Sequence, residues 1–129
     1  MVFRREGERV VADFTPSEGH QGFPGVLHGG IIATLLDETM GRTGALRREW
    51  LVTGKLDVRY RQPAPVDRPL RVWAEIARER DGAIDAIGAV ELADGTVVAD
   101  ARGIFLRLPD QLAADTVARY PEFLNYWQA

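Results

Sequence analysis

Cysteine is absent from the 129 residues. That removes disulfides, thiolate nucleophiles and thiolate metal ligands together. Histidine occurs only at His20 and His28; without cysteine this is a weak ligand set, so no metal is expected. Lysine is nearly missing too: of 16 Lys and Arg residues only Lys55 is a lysine, and no functional meaning is attached to it. No apolar run approaches the roughly 20 residues needed to span a bilayer. The opening "MVFRREGERV" lacks the apolar stretch of a signal peptide. The expectation is a cytoplasmic protein with no membrane span. An excess of positive charge is also missing: the net charge of −3 argues against a general nucleic-acid binder.

What is present suits one domain. The length is enough to bury a core, and a hydrophobic content of 46% beside 27% charged residues is that of a globular protein. "ERVVADFTP" reads as a short strand stopped by Pro16, and residues 17–27, rich in glycine, as a loop. From His28 to about Leu46 apolar residues recur at helical spacing. "VTGKLDVRYR" alternates strictly, with Val52, Gly54, Leu56, Val58 and Tyr60 on one face and Thr53, Lys55, Asp57, Arg59 and Arg61 on the other. "QPAPVDRP" is a connector, because three prolines do not fit inside a ladder. "LRVWAEIARE", "AIDAIGAVEL" and "TVVADARGIFLRL" are further strands, and Asp81-Gly82 and Asp94-Gly95 are hairpin signals. "DQLAADTVARY" is predicted to be a short surface helix. The fold class is α+β, with the order β-α-β-β-β-β, one helix covering one face of an antiparallel sheet. The core spans about 8–108, followed by a helical tail, 110–129.

Two features of the helix ask for an explanation. Its start, His28-Gly29-Gly30, offers no Ser, Thr, Asp or Asn as a cap, so its first N–H groups are expected to be open to another acceptor. Then an acidic pair, Asp37-Glu38, interrupts the apolar run. Glu38 has a simple partner in Arg42 four residues on. Asp37 has no basic residue at i±3 or i±4, only Thr34, Met40, Ala33 and Gly41. Gly41 and Gly44 each weaken a helix by up to about 1 kcal/mol relative to Ala, which predicts a packing requirement at both.

With these residues in view, "GFPGVLHGGIIATLLDETMG" and "LVTGKLDVRYRQPAP" resemble the hotdog-fold acyl-CoA thioesterases. The likeness is to the hydroxybenzoyl-CoA thioesterase superfamily, in its phenylacetate-pathway-like branch, and covers roughly residues 8–108. It implies a curved antiparallel sheet wrapped around one long central helix. It also implies hydrolysis of acyl-CoA thioesters to free acid and CoA, with CoA as part of the substrate and no separate cofactor. The family assembles as homodimers, in places as dimers of dimers (homotetramers), with the site at a two-fold interface.

Position by position, the resemblance makes Asp37 the catalytic carboxylate, as general base or nucleophile. Gly30 or Gly29 would polarise the thioester oxygen through a backbone N–H. His28 would orient that oxygen or the nucleophile, and Thr53 the attacking water. Close relatives often have Asn where this chain has Gly22; Gln21 is the favoured substitute, with His20 the other. Glu38, Arg59 and Arg61 complete the substrate-side candidates, the arginines, with Arg68 and Arg71, as partners for CoA phosphates. The alternative is a non-catalytic acyl-CoA-binding sensor or carrier on the same fold.

Overall fold

A computed structural model describes residues 1–122 of the chain. Tight glycine turns and alternating apolar residues build its six-stranded antiparallel sheet. The strands are β1 (Phe3–Glu6), β2 (Arg9–Phe14), β3 (Leu51–Tyr60), β4 (Leu70–Arg80), β5 (Ala83–Leu92) and β6 (Val97–Arg107). Their spatial order is β1-β2-β4-β5-β6-β3, which leaves β1 and β3 as the two edges. The hairpins at Asp81-Gly82 and Asp94-Gly95 form as the sequence predicts, with Gly82 at φ +77° and Gly95 at φ +88°, a region that glycine enters without steric cost.

The first helix, α1 (Gly29–Gly41), lies across one face of the sheet. Leu36 and Met40 are fully buried there, among Val72, Ala74, Val90 and Phe105. Thr39 is the polar residue on this buried face, and its hydroxyl donates to the Leu35 carbonyl at 2.7 Å, so no polar group is left unsatisfied there. The opposite face of the sheet carries no helix among the described residues. The second helix, α2 (Asp110–Arg119), has no buried residue, in keeping with the predicted surface helix. The rest of the expected tail, 123–129, lies outside the described residues.

Three expectations are corrected. The chain begins with a strand that the order β-α-β-β-β-β omits, so the sheet starts at Phe3 and not near residue 8. "FRRE" has a single apolar residue and shows no alternation; what makes it a strand is its pairing, Phe3 opposite Ala12 and Glu6 opposite Arg9. The helix stops at Gly41, and a 3₁₀ segment, Arg42–Arg47, carries the chain on. Arg42 does not reach back to Glu38: its guanidinium stands 4.2 Å from the centroid of the Phe3 ring, and Glu38 is exposed.

The two glycines of this region also part company. A Cβ on Gly44 would stand 2.3 Å from the Glu49 carbonyl oxygen, whereas one on Gly41 would meet Phe105 at an ordinary 3.7 Å. The packing requirement therefore holds at Gly44 and fails at Gly41. Gly44→Ala is expected to destabilise the protein by about 1–3 kcal/mol, the range of overpacked sites. Gly41→Ala should be neutral or stabilise by up to about 1 kcal/mol. Thermal melts of the two variants side by side check both signs.

Candidate active site

Two groups of residues gather along α1, one at its start and one past its middle. At its start, His28 is itself the cap: the Nδ1 atom accepts from the Gly30 N–H at 2.8 Å. Ile31 and Ile32 N–H both donate to the His28 carbonyl, and the His28 N–H is held by the His20 carbonyl at 2.9 Å. The uncapped start that the sequence suggests is thus corrected. Histidine is an uncommon cap, but its ring nitrogen does the work of the usual hydroxyl or carboxylate oxygen. Of the first-turn donors, Gly30 N–H is engaged, and Gly29 N–H is the one without an acceptor among the described residues.

The loop before α1 is built around this histidine. The Gln21 side chain accepts from the Gly25 N–H at 3.0 Å and so pins the turn over 21–25. Its amide oxygen is engaged in holding the loop. Gly22 N–H bonds to the Val26 carbonyl, and a Cβ at Gly22 would lie 3.1 Å from His28 Cδ2 and 3.2 Å from His28 Cα. The loop backbone runs so close to His28 that a side chain at this position would need His28 to give by a few tenths of an ångström. Glycine at 22 fits this close approach, and it offers no side chain in place of the absent Asn.

Toward the other end, Asp37 is half-buried and accepts at Oδ1 from the Thr53 hydroxyl, at 2.6 Å. Strict alternation along β3 predicts Thr53 on the face of Arg59, away from α1. The structure reverses this. The pairing of β3 with β6 shifts register between Thr53 and Lys55, a β-bulge that adds one residue and changes the face of everything before it. Thr53 lies opposite Phe105, and Leu56, Val58 and Tyr60 lie opposite Gly103, Ala101 and Ala99. All four therefore project to the helix side, while Val52 turns outward.

The arginines fall elsewhere. Arg59 pairs across the ladder with Asp100, and Arg61 Nε donates to the Asp100 carboxylate at 2.8 Å. Both line a broad depression with Trp73, Ile87 and Arg102 on the face of the sheet remote from α1. Arg61 also borders a smaller cleft of about 390 Å³ beside Gly29, Ile32 and Tyr60. Arg71 is engaged with Glu6. Among the described residues no three His, Asp or Glu side chains are grouped so as to hold a metal ion.

One residue that sequence reasoning missed is Tyr60. Its hydroxyl donates to the Gly29 carbonyl at 2.7 Å. The signal available was slight: a tyrosine on the apolar side of an amphipathic strand, whose hydroxyl needs a partner.

His28 and Asp37 are not brought together within one chain. Nine residues of α-helix separate them by about 13 Å along the axis and by half a turn around it. Thr53 and Tyr60, on the same face of β3, are farther apart still, about 20 Å along the strand. Helix and strand thus form two half-sites: a donor group at the start of α1 (His28 and Gly29, with Tyr60 holding the Gly29 carbonyl) and an acceptor group further on (Asp37, held by Thr53).

A six-stranded antiparallel sheet packed on one long helix is the architecture of a hotdog-type domain. Residues 24–81 match the family model described as the thioesterase superfamily. Human acyl-coenzyme A thioesterase THEM5 is 32% identical over 109 residues, which is 84% of this chain and 44% of that protein. The chain thus spans less than half the length of that relative. A thioesterase superfamily protein from Shewanella loihica, solved by crystallography, is 25% identical, with a TM-score of 0.72 over 84% of this chain and 90% of the other. The fold is shared as well with a hypothetical thioesterase from Streptococcus pneumoniae solved with coenzyme A, at 18% identity and a TM-score of 0.77 over 82% and 86% of the two chains. Residues 24–81 thus carry a match to the thioesterase superfamily, and the chain shares its fold with solved members of that superfamily.

Proposed function

We propose that this protein hydrolyses acyl-CoA thioesters to the free acid and CoA. The observation that carries this reading is the pair Asp37–Thr53: a half-buried carboxylate on the central helix, fixed by a hydroxyl that only a bulge brings to that face. The Thr53 hydrogen bond occupies Oδ1 and leaves Oδ2 available. As general base, Asp37 takes a proton from water while the water oxygen bonds to the thioester carbonyl carbon. The C–S bond then breaks, and the proton passes to the departing sulfur. Negative charge that collects on the carbonyl oxygen in between is met by the free Gly29 N–H at the positive end of α1. The likeness to named acyl-CoA thioesterases and to a CoA-bound structure supports the same substrate class.

These two halves serve one reaction if they come from two chains. The β3 edge is 10 residues long and unpaired among the described residues, a surface that sheets cover in one way or another. Antiparallel pairing of two copies of β3 about a two-fold near Leu56 and Asp57 sets Thr53 and Asp37 of one chain beside the partner's Tyr60 and Gly29. A homodimer with two shared sites follows. The test is thiol release from a panel of acyl-CoA esters, extended by complementation. Asp37→Asn and His28→Ala homodimers should each be nearly inactive. Unfolded together and refolded, they should regain roughly a quarter of wild-type turnover, because half the dimers are hybrids with one intact site of two. No recovery would refute the shared site.

Thr53 gives a graded check. Thr53→Val removes the hydroxyl at constant shape and should lower kcat about tenfold, the weight of a hydrogen bond to a charged group. Thr53→Ser should stay within about threefold of wild type. A steady-state comparison of the two decides whether the hydroxyl or the methyl matters.

A further inference from the structure

The two glycines that open α1 are the residues least able to hold their own conformation, yet the peptide between them is gripped at both ends. The Tyr60 hydroxyl donates to its carbonyl oxygen, on Gly29, at 2.7 Å. Its N–H, on Gly30, donates to His28 Nδ1 at 2.8 Å. Tyr60 reaches it from β3, 31 residues away in sequence. The ring lies in contact with the glycine: a Cβ on Gly29 would meet Tyr60 Cε1 at 3.5 Å. Two hydrogen bonds in series through one amide polarise each other. Because Nδ1 of His28 is an acceptor, the proton of the neutral ring sits on Nε2, which leaves Nε2–H as a donor.

We propose that Tyr60 is a positioning residue for the reaction: its hydroxyl locks the Gly29–Gly30 peptide, and through that peptide the aim of the free Gly29 N–H and the tautomer and orientation of His28. The proposal rests on the thioesterase reading and deepens it. Tyr60 acts through Gly29 and His28 and does not itself meet the reacting atoms. It also supplies what the loop cannot. Gly22 leaves no side chain to help the helix start hold the carbonyl oxygen, so the donors that remain must be well aimed. Packing of β3 against α1 thereby controls the electrophilic half of the site.

Tyr60→Phe removes the hydroxyl and keeps the ring. Tyr60 is 52% exposed, so the variant is expected to melt with the wild type. On the best acyl-CoA of the panel, kcat should fall about tenfold, a fraction of the 10²–10³ lost when an oxyanion donor is deleted outright, while KM stays within about twofold. In the same protein the Gly30 amide proton resonance should move upfield, and the His28 ring nitrogens should shift from the pattern of a pure Nε2–H tautomer. A Gly30 resonance that does not move overturns the clamp. A moved resonance with unchanged kcat overturns its role in the reaction, as does a raised KM with kcat intact. Failure of the underlying reading shows separately, as equal thiol release by wild type and Asp37→Asn. The catalytic role of Tyr60 falls with it, while the Gly30 resonance still reports whether the clamp exists.

Discussion

Asp37→Asn is expected to lower kcat for acyl-CoA hydrolysis at least about a hundredfold with little change in KM, within the 10²–10⁴ that a positioned proton acceptor supplies. The substitution is a sharp one because it leaves the geometry in place. The Asn amide oxygen can still accept from the Thr53 hydroxyl, as Oδ1 of Asp37 does at 2.6 Å. What is lost is the ability to take a proton or to attack as a carboxylate. An unchanged KM would show that the group acts on the transition state and not on binding. Equal rates for the two proteins across the panel would remove hydrolysis from consideration and leave the acyl-CoA sensor or carrier as the account to pursue. Binding of CoA esters, measured by calorimetry on both proteins, should persist in either case.

Phe105→Ala should be the most destabilising single change in the site region. Phe105 is 1% exposed and lies on the helix face of β6, directly across the ladder from Thr53, with its ring edge 3.7 Å from where a Gly41 Cβ would be. It fills the space between the end of α1 and the bulge. Truncation leaves a cavity lined by Met40 and its neighbours, which a two-layer structure with one buried helix cannot close by moving a second one. The expected loss is about 3–5 kcal/mol, the usual cost of Phe→Ala in a core, or a fall in Tm on the order of 10–20 °C. Because the same ring supports the strand that delivers Thr53, kcat should drop even at temperatures where the variant is fully folded. A variant that melts within a few degrees of the wild type would show that Phe105 is not the packing centre between helix and sheet.

Much of the architecture was legible because it depends on local chemistry. The Asp-Gly pairs require positive φ and turn where they stand; the prolines of 62–69 break the ladder; the apolar spacing from Ile31 to Met40 makes one face of a helix whatever lies around it. β1 was not legible: with one apolar residue among "FRRE", nothing local distinguishes it from a charged terminus, and only pairing with β2 makes it a strand. The boundary of α1 was misjudged because the residues after Gly41 keep a helical look while Gly44, pressed on the Glu49 carbonyl, belongs to a tighter turn.

The candidate site divides in the same way. The sequence by itself determined that a carboxylate without a cation on its own helix, Asp37, and a glycine pair behind a histidine would occupy one helix, since residue identity and a period of 3.6 settle that much. Tertiary structure alone decided which side chains meet them. The cap is a ring nitrogen brought round by the loop that Gln21 and Gly22 shape. Thr53 reaches Asp37 because one extra residue in β3 turns it over, and Tyr60 reaches Gly29 because β3 runs past the helix start. Alternation assigns each strand residue a face only while the ladder stays in register. Whether a strand slips by one residue is settled by the strand beside it, here β6, and not by its own sequence.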